Sequence, residues 1–221
     1  QEDEQTLLKN KTKLITSKKR VEIFENAIEK KYDFIIFDDG LQDKTVEYDV
    51  KFVCFDAINW IGNGYLIPSG PLREKLESLK KYDGVFLKSL NKNSNSDKIS
   101  SFIKKFNPNM KIFHSYVNIK NINKFNLFKK YLIFSGIGNP NSFKDLLIKN
   151  KFNIVEEIIF PDHYNYKYED FKNIEEKAKI LGANIITTEK DFVKVPEQNK
   201  KNISSLEISL NIIEENQLIE F

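Results

Sequence analysis

The chain contains a single cysteine, Cys54, among its 221 residues. A lone thiol cannot form a disulfide within the chain, and it cannot supply a cysteine zinc cluster. Cys54 lies in the apolar run VKFVCFD, which favours a packing role over a nucleophilic one. The sequence also lacks an apolar run of the ~18 residues needed to cross a bilayer, and it shows no signal peptide. These absences favour a cytoplasmic setting.

Neither basic nor acidic residues dominate, since 35 lysines and arginines stand against 32 aspartates and glutamates. The net charge of +3 is too even to predict a nucleic-acid partner, although it permits contact with an anionic lipid surface. Apolar residues make up 40% of the chain and charged residues 30%, as in an ordinary soluble globular protein. A chain of this length can form one large domain or two small ones.

None of the eight glycines is followed by Lys-Ser or Lys-Thr. The sequence therefore lacks a P-loop, the glycine-rich segment whose backbone and lysine hold nucleotide phosphates. The chain also opens on the charged segment QEDEQTLL without a methionine. From this opening we expect the sequence to be a fragment of a longer protein.

Apolar runs of strand length alternate with amphipathic helical stretches, which predicts an α/β fold with right-handed crossovers. Runs such as VKFVCF and FIIF are continuously apolar, as in strands of a parallel sheet that is covered on both faces. The predicted strands are residues 13–16, 33–38, 51–56, 84–88, 111–116, 131–135, 154–160, 184–188 and 205–210. The predicted helices are residues 18–30, 73–81, 97–106, 142–149 and 168–181, the last ending at a Gly182 cap.

Residues 118–130, NIKNINKFNLFKK, alternate polar and apolar side chains without a turn of their own. We interpret this stretch as a connector or ribbon between two α/β units. The alternative is one more edge strand of a single sheet.

An apolar stretch that ends in two carboxylates, YDFIIFDDGLQD, spans residues 32–43. In open α/β sheets, ligands bind beyond the carboxyl ends of the strands. A carboxylate at that place can hold Mg²⁺ in a nucleotide-binding enzyme. Asp38 is the first acid after the predicted strand, and Asp39 is the second. The alternative is an ordinary strand end followed by an Asp-Gly turn.

A long loop, WIGNGYLIPSGPLRE, spans residues 60–74 and holds three glycines and two prolines. Structured loops of this length are usually functional. Arg73 can bind a phosphate through its bidentate fork, and Glu74 can serve as a further metal ligand. The alternative is a helix start with a surface ion pair.

Two polar segments, SGIGNP at residues 135–140 and TTEKD at 187–191, follow predicted strands. Backbone N–H groups around Gly136 can meet an anion or a nucleotide edge, although Gly-x-Gly lacks the third glycine of a dinucleotide fingerprint. In the second segment, the residues that can line a nucleotide cleft are Thr188, Glu189, Lys190 and Asp191. The alternative there is a strand end followed by a helix N-terminus.

The chain has two histidines, and only one of them follows a strand. His163 comes after Pro161-Asp162, where a neighbouring carboxylate can tune it as a general base. The alternative is a hydrogen-bonded loop histidine. His114 lies within the predicted strand KIFHSY and is predicted to be structural.

In order along the chain, DDGLQ, GNGYLIPSGPLRE, SGIGNP, FPDH and TTEKD resemble motifs of the tetraacyldisaccharide 4′-kinases, over residues 3–195. Each motif alone is modest, but five in this order are highly specific. The family is a branch of the P-loop kinases. The resemblance implies transfer of the ATP γ-phosphate to the 4′-hydroxyl of a lipid A disaccharide precursor, with Mg²⁺, at the cytoplasmic face of the inner membrane.

The resemblance also implies two α/β domains joined by a ribbon, with the active site between them. Residues 1–117 would form the remainder of a P-loop-kinase-like domain with an incomplete parallel sheet. Residues 118–130 would form the connector, and 131–221 a smaller α/β/α domain. The membrane-docking helix and the phosphate-binding loop of the family would precede Gln1, so we expect this chain alone to be inactive.

Roles carry over residue by residue. The acidic pair of the family matches Asp38 and Asp39, and its Arg-Glu pair matches Arg73 and Glu74. We therefore predict metal ligands at Asp38, Asp39 and Glu74, and nucleotide contacts at Arg73, Gly136, Thr188 and Lys190. The catalytic base of the family matches Asp3, and its histidine after Pro-Asp matches His163; we predict that these two residues act as one unit.

Three positions depart from the family pattern. Glu2 and Gln5 replace the glycine and proline that usually surround the catalytic aspartate. Asp43 replaces the histidine that usually follows DDGLQ, so a cation-capable ring becomes an acid. Two alternatives to a lipid-sugar kinase stay open from the residues alone: a kinase of the same fold acting on another hydroxyl, and a non-catalytic nucleotide-binding module.

Overall fold

A computed structural model describes residues 5, 8–9, 12–17, 19–89 and 96–221. The chain divides into two compact units. The first unit comprises Ile15–Tyr116 and Asn211–Phe221, and the second unit is built mainly from Val117–Leu210. Two separate four-stranded sheets, rather than one continuous sheet, run through the described residues. The predicted α/β class is confirmed.

The strands and helices follow one another in the predicted alternation. The strands are β1 Phe52–Asp56, β2 Gly84–Ser89, β3 Lys111–Ile119, β4 Lys130–Ser135, β5 Asn153–Ile159, β6 Asn184–Thr188, β7 Ile203–Leu206 and β8 Ile208–Ile212. The α-helices are α1 Arg20–Glu29, α2 Ser96–Phe106, α3 Pro140–Lys149, α4 Tyr168–Leu181, α5 Glu189–Phe192, α6 Glu197–Lys200 and α7 Glu215–Ile219. Short 3₁₀ helices cover Leu76–Lys81 and Ile122–Lys124.

The sheet of the first unit has the strand order β1-β2-β3-β8, and its first three strands are parallel. Its core contains Val85 and Leu87 from β2, which pack with Ile103 from α2. Burying each such side chain stabilises the fold by roughly 1.5–3 kcal/mol. Gly84 begins β2 opposite Phe52, and a Cβ there would lie 2.5 Å from the Phe52 ring. The close packing of β1 on β2 therefore requires glycine at this position.

Hydrogen bonds to His114 attach residues 211–221 to the rest of the first unit. The backbone N–H of His114 donates to Glu214 Oε2 at 2.7 Å, and His114 Nδ1 lies 2.8 Å from Glu214 Oε1. His114 Nε2 lies 3.0 Å from Ser100 Oγ in α2. The ring of Phe221 lies beside those of Phe52 and Phe113. These contacts are structural, as predicted for His114.

The sheet of the second unit has the order β5-β4-β6-β7, with every pair parallel. All residues of β4 except the first are buried, because helices cover both faces of the sheet. One face packs on Phe143, Leu146 and Leu147 of α3. The other face packs on Phe171, Ile174 and Ala178 of α4. The second unit is thus a three-layered α/β/α structure, and α4 ends at Gly182 with a φ of +60°, as predicted.

Four of the predicted elements are wrong. Residues 13–16 and 33–38 form no strand. In the second of these segments, Phe34 and Ile36 are 90% and 94% exposed, because no neighbouring strand pairs with it within the described residues. The helix predicted over residues 73–81 is limited to the 3₁₀ helix Leu76–Lys81.

The strand predicted over residues 205–210 is two strands in different sheets. β7 belongs to the second sheet and β8 to the first, and Glu207 lies between them. The N–H of Glu207 donates to Asn121 Oδ1 at 3.0 Å, and its carbonyl accepts from the N–H of Lys120 at 2.8 Å. The chain therefore changes sheets at Glu207 while its backbone groups stay paired.

Residues 118–130 run from the end of β3, through the 3₁₀ helix Ile122–Lys124, to the start of β4. Asn121 is buried and donates to the carbonyl of Ser205 at 3.0 Å. The boundaries 1–117, 118–130 and 131–221 stay a prediction. The compact units divide at Tyr116 and again at Leu210. No helix of the described ranges has the length and hydropathy to span a membrane.

Candidate active site

Three predicted site segments meet at one edge of the second sheet. Gly136 follows β4, His163 lies just after β5, and Lys190 follows β6. These strands are neighbours and parallel, so their carboxyl ends lie at the same edge. Ligands of open α/β sheets bind at this edge. The motifs SGIGNP, FPDH and TTEKD therefore form one cluster, here called the second-unit cluster.

A buried carboxylate organises this cluster. Asp191 is fully buried, and its Oδ2 accepts a hydrogen bond from the N–H of Gly136 at 3.0 Å and from Thr188 Oγ1 at 2.8 Å. The N–H of Asp191 donates in return to Thr188 Oγ1 at 3.1 Å. Asp191 thus joins the end of β6 to the loop after β4. Charge-assisted hydrogen bonds of this kind are among the stronger ones in proteins.

Sequence reasoning grouped Asp191 with residues lining a nucleotide cleft and missed this anchoring role. The signal was present, since Thr188 and Asp191 have the Thr-x-x-Asp spacing of a capping box. Thr188 caps α5, which begins at Glu189. The hydroxyl of Thr188, predicted to contact a nucleotide, is engaged in this cap.

The loop after β4 approaches its neighbours closely. A Cβ on Gly136 would lie 3.0 Å from Tyr166 Oη and 3.2 Å from both Asp191 Oδ1 and the carbonyl of Pro161. A Cβ on Gly138 would lie 3.1 Å from Asp162 Oδ2. Glycines therefore let the SGIGNP backbone pack against the segments that follow β5 and β6.

A cation, a carboxylate and an imidazole lie together above this loop. Lys190 Nζ lies 3.4 Å from Asp162 Oδ1 and 3.5 Å from His163 Nε2. The N–H of His163 donates to Asp162 Oδ1 at 2.9 Å and to the carbonyl of Gly136 at 3.3 Å. His163 has a φ of +58°, a conformation uncommon outside glycine. Hydrogen bonds from its own backbone hold the histidine in this turn.

The charge of Asp162 is set by these neighbours. Partial burial alone would raise the pKa of its carboxyl, but the positive charge of Lys190 and the contacts with His163 outweigh burial and lower the pKa. Asp162 is therefore ionised at neutral pH. The cluster can attract a phosphate through Lys190 and accept a proton on an imidazole or carboxylate.

The acidic turn DDGLQD lies in the first unit, where Arg20 of α1 braces it. Arg20 donates to the carbonyls of Asp39 and Gly40, each at 3.0 Å, and lies 3.1 Å from Asp43. Tyr48 Oη donates to the same Gly40 carbonyl at 3.1 Å. Asp39 has a φ of +54°, so the backbone of this turn depends on these hydrogen bonds. Sequence reasoning did not identify Arg20.

Asp43, which stands where the family usually has histidine, is used internally. Its pKa is lowered chiefly by the hydroxyl hydrogen bond and then by the backbone hydrogen bond of Thr45, and further by Arg20. The two Thr45 bonds measure 2.6 Å and 2.9 Å. Asp43 therefore stabilises the turn through contacts within the chain.

The Arg-Glu pair lies against the acidic turn. Arg73 forms an ion pair with Asp39. Gln42 Nε2 donates to Glu74 Oε1 at 3.0 Å, and Tyr82 Oη donates to Glu74 Oε2 at 2.8 Å. Burial would raise the pKa of Glu74, but the hydrogen bonds from Tyr82 and Gln42 outweigh it and lower the pKa. The motifs DDGLQ and PLRE, separated in sequence, thus form a second cluster, the first-unit cluster.

The predicted metal ligands lie in this cluster, and two of the three are engaged with other groups. Asp38 is exposed, Asp39 pairs with Arg73, and Glu74 accepts from Gln42. Across the described ranges, no three His, Cys, Asp or Glu side chains form a group that could hold a metal ion. The metal assignment stays a prediction. Asp3 lies outside the described residues.

The comparisons with known proteins agree with the motif order. The family model described as "Tetraacyldisaccharide-1-P 4'-kinase" matches residues 2–221. A protein of Pelagibacter ubique named tetraacyldisaccharide 4′-kinase is 43% identical, over 99% of this chain and 69% of its own length. One of the same name from Rickettsia akari is 39% identical, over 95% of this chain and 62% of its own length. The chain thus spans roughly two thirds of these relatives.

A solved structure agrees in fold. It is described as the "apo" form of LpxK from Aquifex aeolicus in complex with ATP. It superposes with a TM-score of 0.54 at 20% sequence identity and covers 82% of this chain and 54% of that one. At this identity the likeness supports the fold. With the family match over nearly the whole sequence, it follows that this chain belongs to the tetraacyldisaccharide 4′-kinase family.

Proposed function

We propose that the protein containing this chain transfers the γ-phosphate of ATP to the 4′-hydroxyl of tetraacyldisaccharide 1-phosphate in lipid A biosynthesis. The observation that carries the proposal is the second-unit cluster, where three family motifs meet at the ligand-binding edge of a parallel sheet. Both relatives described above are named for this reaction, and the solved structure contains ATP. A binding module without catalysis is not favoured by these matches.

Within this proposal, the second-unit cluster binds the nucleotide and assists proton transfer. Lys190 offers a positive charge to a phosphate, and the loop at Gly136 offers backbone groups at the same edge. His163 supplies a proton-accepting nitrogen, because a sugar hydroxyl must lose its proton as the bond to phosphorus forms. Asp3 is proposed as its partner from the family pattern. Thr188 contributes by fixing Asp191.

The first-unit cluster has the chemistry of a Mg²⁺ site. Carboxylate oxygens are the ligands that this ion prefers. The Asp39–Arg73 ion pair and the Gln42–Glu74 hydrogen bond bring two carboxylate-bearing segments together, but within the described residues these carboxylates do not yet form an ion-binding group. Asp38, Asp39 and Glu74 would hold it. When bound, Mg²⁺ neutralises charge on the nucleotide phosphates. Arg73, which pairs with Asp39 in this structure, would contact a nucleotide phosphate.

We also propose that the protein works peripherally at the cytoplasmic face of the inner membrane. Its proposed substrate carries four acyl chains and resides in a lipid layer. The net charge of +3 is compatible with an anionic surface. This location follows from the proposed substrate, so evidence against that substrate would also count against the location.

The test is phosphate transfer by the protein encoded by the intact gene. ATP labelled at the γ-phosphate is incubated with tetraacyldisaccharide 1-phosphate in detergent micelles, and labelled lipid is separated from ATP. We expect His163→Ala and Asp3→Ala each to lower kcat strongly, and the double variant to cost little more than the worse single one. Asp145→Ala, at an exposed carboxylate on α3 of the second unit, is the matched control. The proposal fails if no lipid is labelled by the unmodified protein.

A further inference from the structure

A long stretch of the first unit carries no charged residue. Residues 57–72, AINWIGNGYLIPSGPL, contain no Asp, Glu, Lys or Arg, although charged residues make up 30% of the chain. Loops are normally the most polar part of a soluble protein, because they run over its surface. A loop without charged residues is therefore suited to an environment that is less polar than water.

The tip of this stretch is held in one conformation. The N–H of Ile67 donates to the carbonyl of Leu72 at 2.8 Å, and the N–H of Leu72 donates to the carbonyl of Tyr65 at 3.1 Å. Asn63 Nδ2 donates to the carbonyl of Ser69 at 2.8 Å, across the base of the tip. A Cβ on Gly70 would lie 2.4 Å from the Tyr65 carbonyl oxygen. The tip is thus closed by cross-bonds and close packing.

Although its backbone is closed by hydrogen bonds, the tip leaves its apolar side chains in solvent. Tyr65, Leu66 and Ile67 are consecutive and are 65%, 37% and 62% exposed. Ile58, at the start of the stretch, is half exposed. All residues from 62 to 69 are exposed. A fixed backbone that presents adjacent apolar side chains to water indicates a surface that is covered when the protein works.

We propose that the tip at Tyr65–Leu66–Ile67 inserts into the interfacial layer of an anionic phospholipid bilayer. This rests on the proposed function only in requiring that the protein reach a lipid layer. Tyrosine is enriched at bilayer interfaces, and small apolar elements bind there when basic residues lie nearby. The segment that follows the loop, residues 73–81, holds four basic residues (Arg73, Lys75, Lys80 and Lys81) and two acidic ones (Glu74 and Glu77), a positive balance that suits anionic head groups.

The size of the tip argues against a protein partner. A stable protein interface needs about 800 Å² on each side. A few side chains of one loop offer a few hundred Å². A bilayer needs no matching surface, since each inserted side chain is transferred into an apolar layer independently. The tip also continues directly into Arg73 and Glu74, so insertion would bring the first-unit cluster close to the head groups.

The first experiment locates a probe on vesicles that contain no kinase substrate. The only cysteine is removed by Cys54→Ser, and Ile67→Cys is labelled with an environment-sensitive fluorophore. Vesicles of phosphatidylethanolamine with phosphatidylglycerol should shift its emission to the blue at high lipid concentration. The matched control is Ile180→Cys, an exposed isoleucine on α4 of the second unit, which should show no shift. Equal shifts at both positions would overturn the proposal.

The second experiment measures binding by co-sedimentation with the same vesicles. The double variant Tyr65→Ser/Ile67→Ser should lower the partition coefficient at least ~10-fold. Ile180→Ser/Phe128→Ser removes two exposed apolar side chains elsewhere and should leave it unchanged. Lys75→Gln/Lys80→Gln should weaken binding to these vesicles but not to phosphatidylcholine vesicles, since only the former are anionic. Circular dichroism checks that each variant is folded.

Two outcomes contradict the proposal. The first is that the unmodified chain sediments with neither kind of vesicle. The second is that the loop variant binds normally while Phe34→Ser/Ile36→Ser, at another exposed apolar segment of the first unit, abolishes binding. Neither outcome bears on the proposed phosphate transfer, because the transfer assay uses detergent micelles and needs no bilayer. Failure of that assay with intact vesicle binding would refute the proposed activity alone.

Discussion

Replacing Asp191 with alanine should destabilise the second unit more than any change to an exposed carboxylate. Asp191 is fully buried, and its Oδ2 accepts hydrogen bonds from the N–H of Gly136 and the hydroxyl of Thr188. Alanine removes both hydrogen bonds at once. It also leaves the buried N–H of Gly136 without a partner, and desolvated polar groups are costly.

The magnitude follows from the number of bonds. A hydrogen bond to a charged group contributes about 1.5–3 kcal/mol, and an orphaned buried donor retains its desolvation penalty. For two such bonds, we expect Asp191→Ala to lower the free energy of unfolding of the second unit by about 3–6 kcal/mol. Asp191→Asn keeps an oxygen for the Gly136 N–H and should cost about 1–2 kcal/mol.

The assay combines urea unfolding, followed by circular dichroism, with hydrogen exchange of the Gly136 amide. Exchange reports local opening and isolates the second unit from the first. Asp145→Ala is the control, because Asp145 is an exposed carboxylate on α3 of the same unit. If Asp191→Ala matches Asp145→Ala in both measurements, the buried carboxylate does not anchor the cluster and the reasoning is refuted.

Three further predictions concern the first unit. Because hydrogen bonds, including that from Tyr82, lower the pKa of Glu74, its stabilisation should be complete above the ordinary value of 4.5 and disappear as the pH falls through the folded-state pKa. Wild type and Glu74→Gln should therefore converge in urea midpoint in acid, and a gap that persists there would contradict this. Glu214→Ala should expose residues 211–221 to limited proteolysis, whereas Glu220→Ala at an exposed position should not; equal cleavage would count against the His114 contacts. In the intact kinase, Asp38→Ala should lower kcat at least ~100-fold, and a near-normal rate with unchanged Mg²⁺ dependence would show the metal role to be wrong.

The strands and helices of the second unit could be predicted from the sequence, because its apolar patterns match the side chains that are buried in the structure. The β4 run is apolar at successive positions, and it lies in the middle of a sheet covered on both faces. Helix α4 has its apolar residues at helical spacing and a glycine where a left-handed cap is needed. The same alternation placed polar segments after β4, β5 and β6, and the parallel pairing of these strands brings the segments to one edge.

The first unit shows where such signals fail. Residues 33–38 have the same apolar pattern as β4. A β-strand forms only when a neighbouring strand supplies hydrogen bonds, and the sequence of a segment does not show whether such a neighbour exists. The change of sheet at Glu207 could not be predicted either. Apolar residues continue on both sides of Glu207, and only the sheet to which the strand belongs changes. The role of Arg20 could not be predicted, because it donates hydrogen bonds to backbone carbonyls. Every residue has a backbone carbonyl, so such bonds produce no pattern in the sequence.

The first unit is interrupted in sequence, and this affects its order of folding. Residues 211–221 are synthesised after all of Val117–Leu210, yet they belong with Ile15–Tyr116. On the ribosome, the four described strands of the second sheet are all synthesised before residues 211–212, the part of β8 that lies in the first unit. Domains usually fold in the order in which they emerge. We therefore expect the sheet of Val117–Leu210 to form before β8 joins the sheet of the first unit.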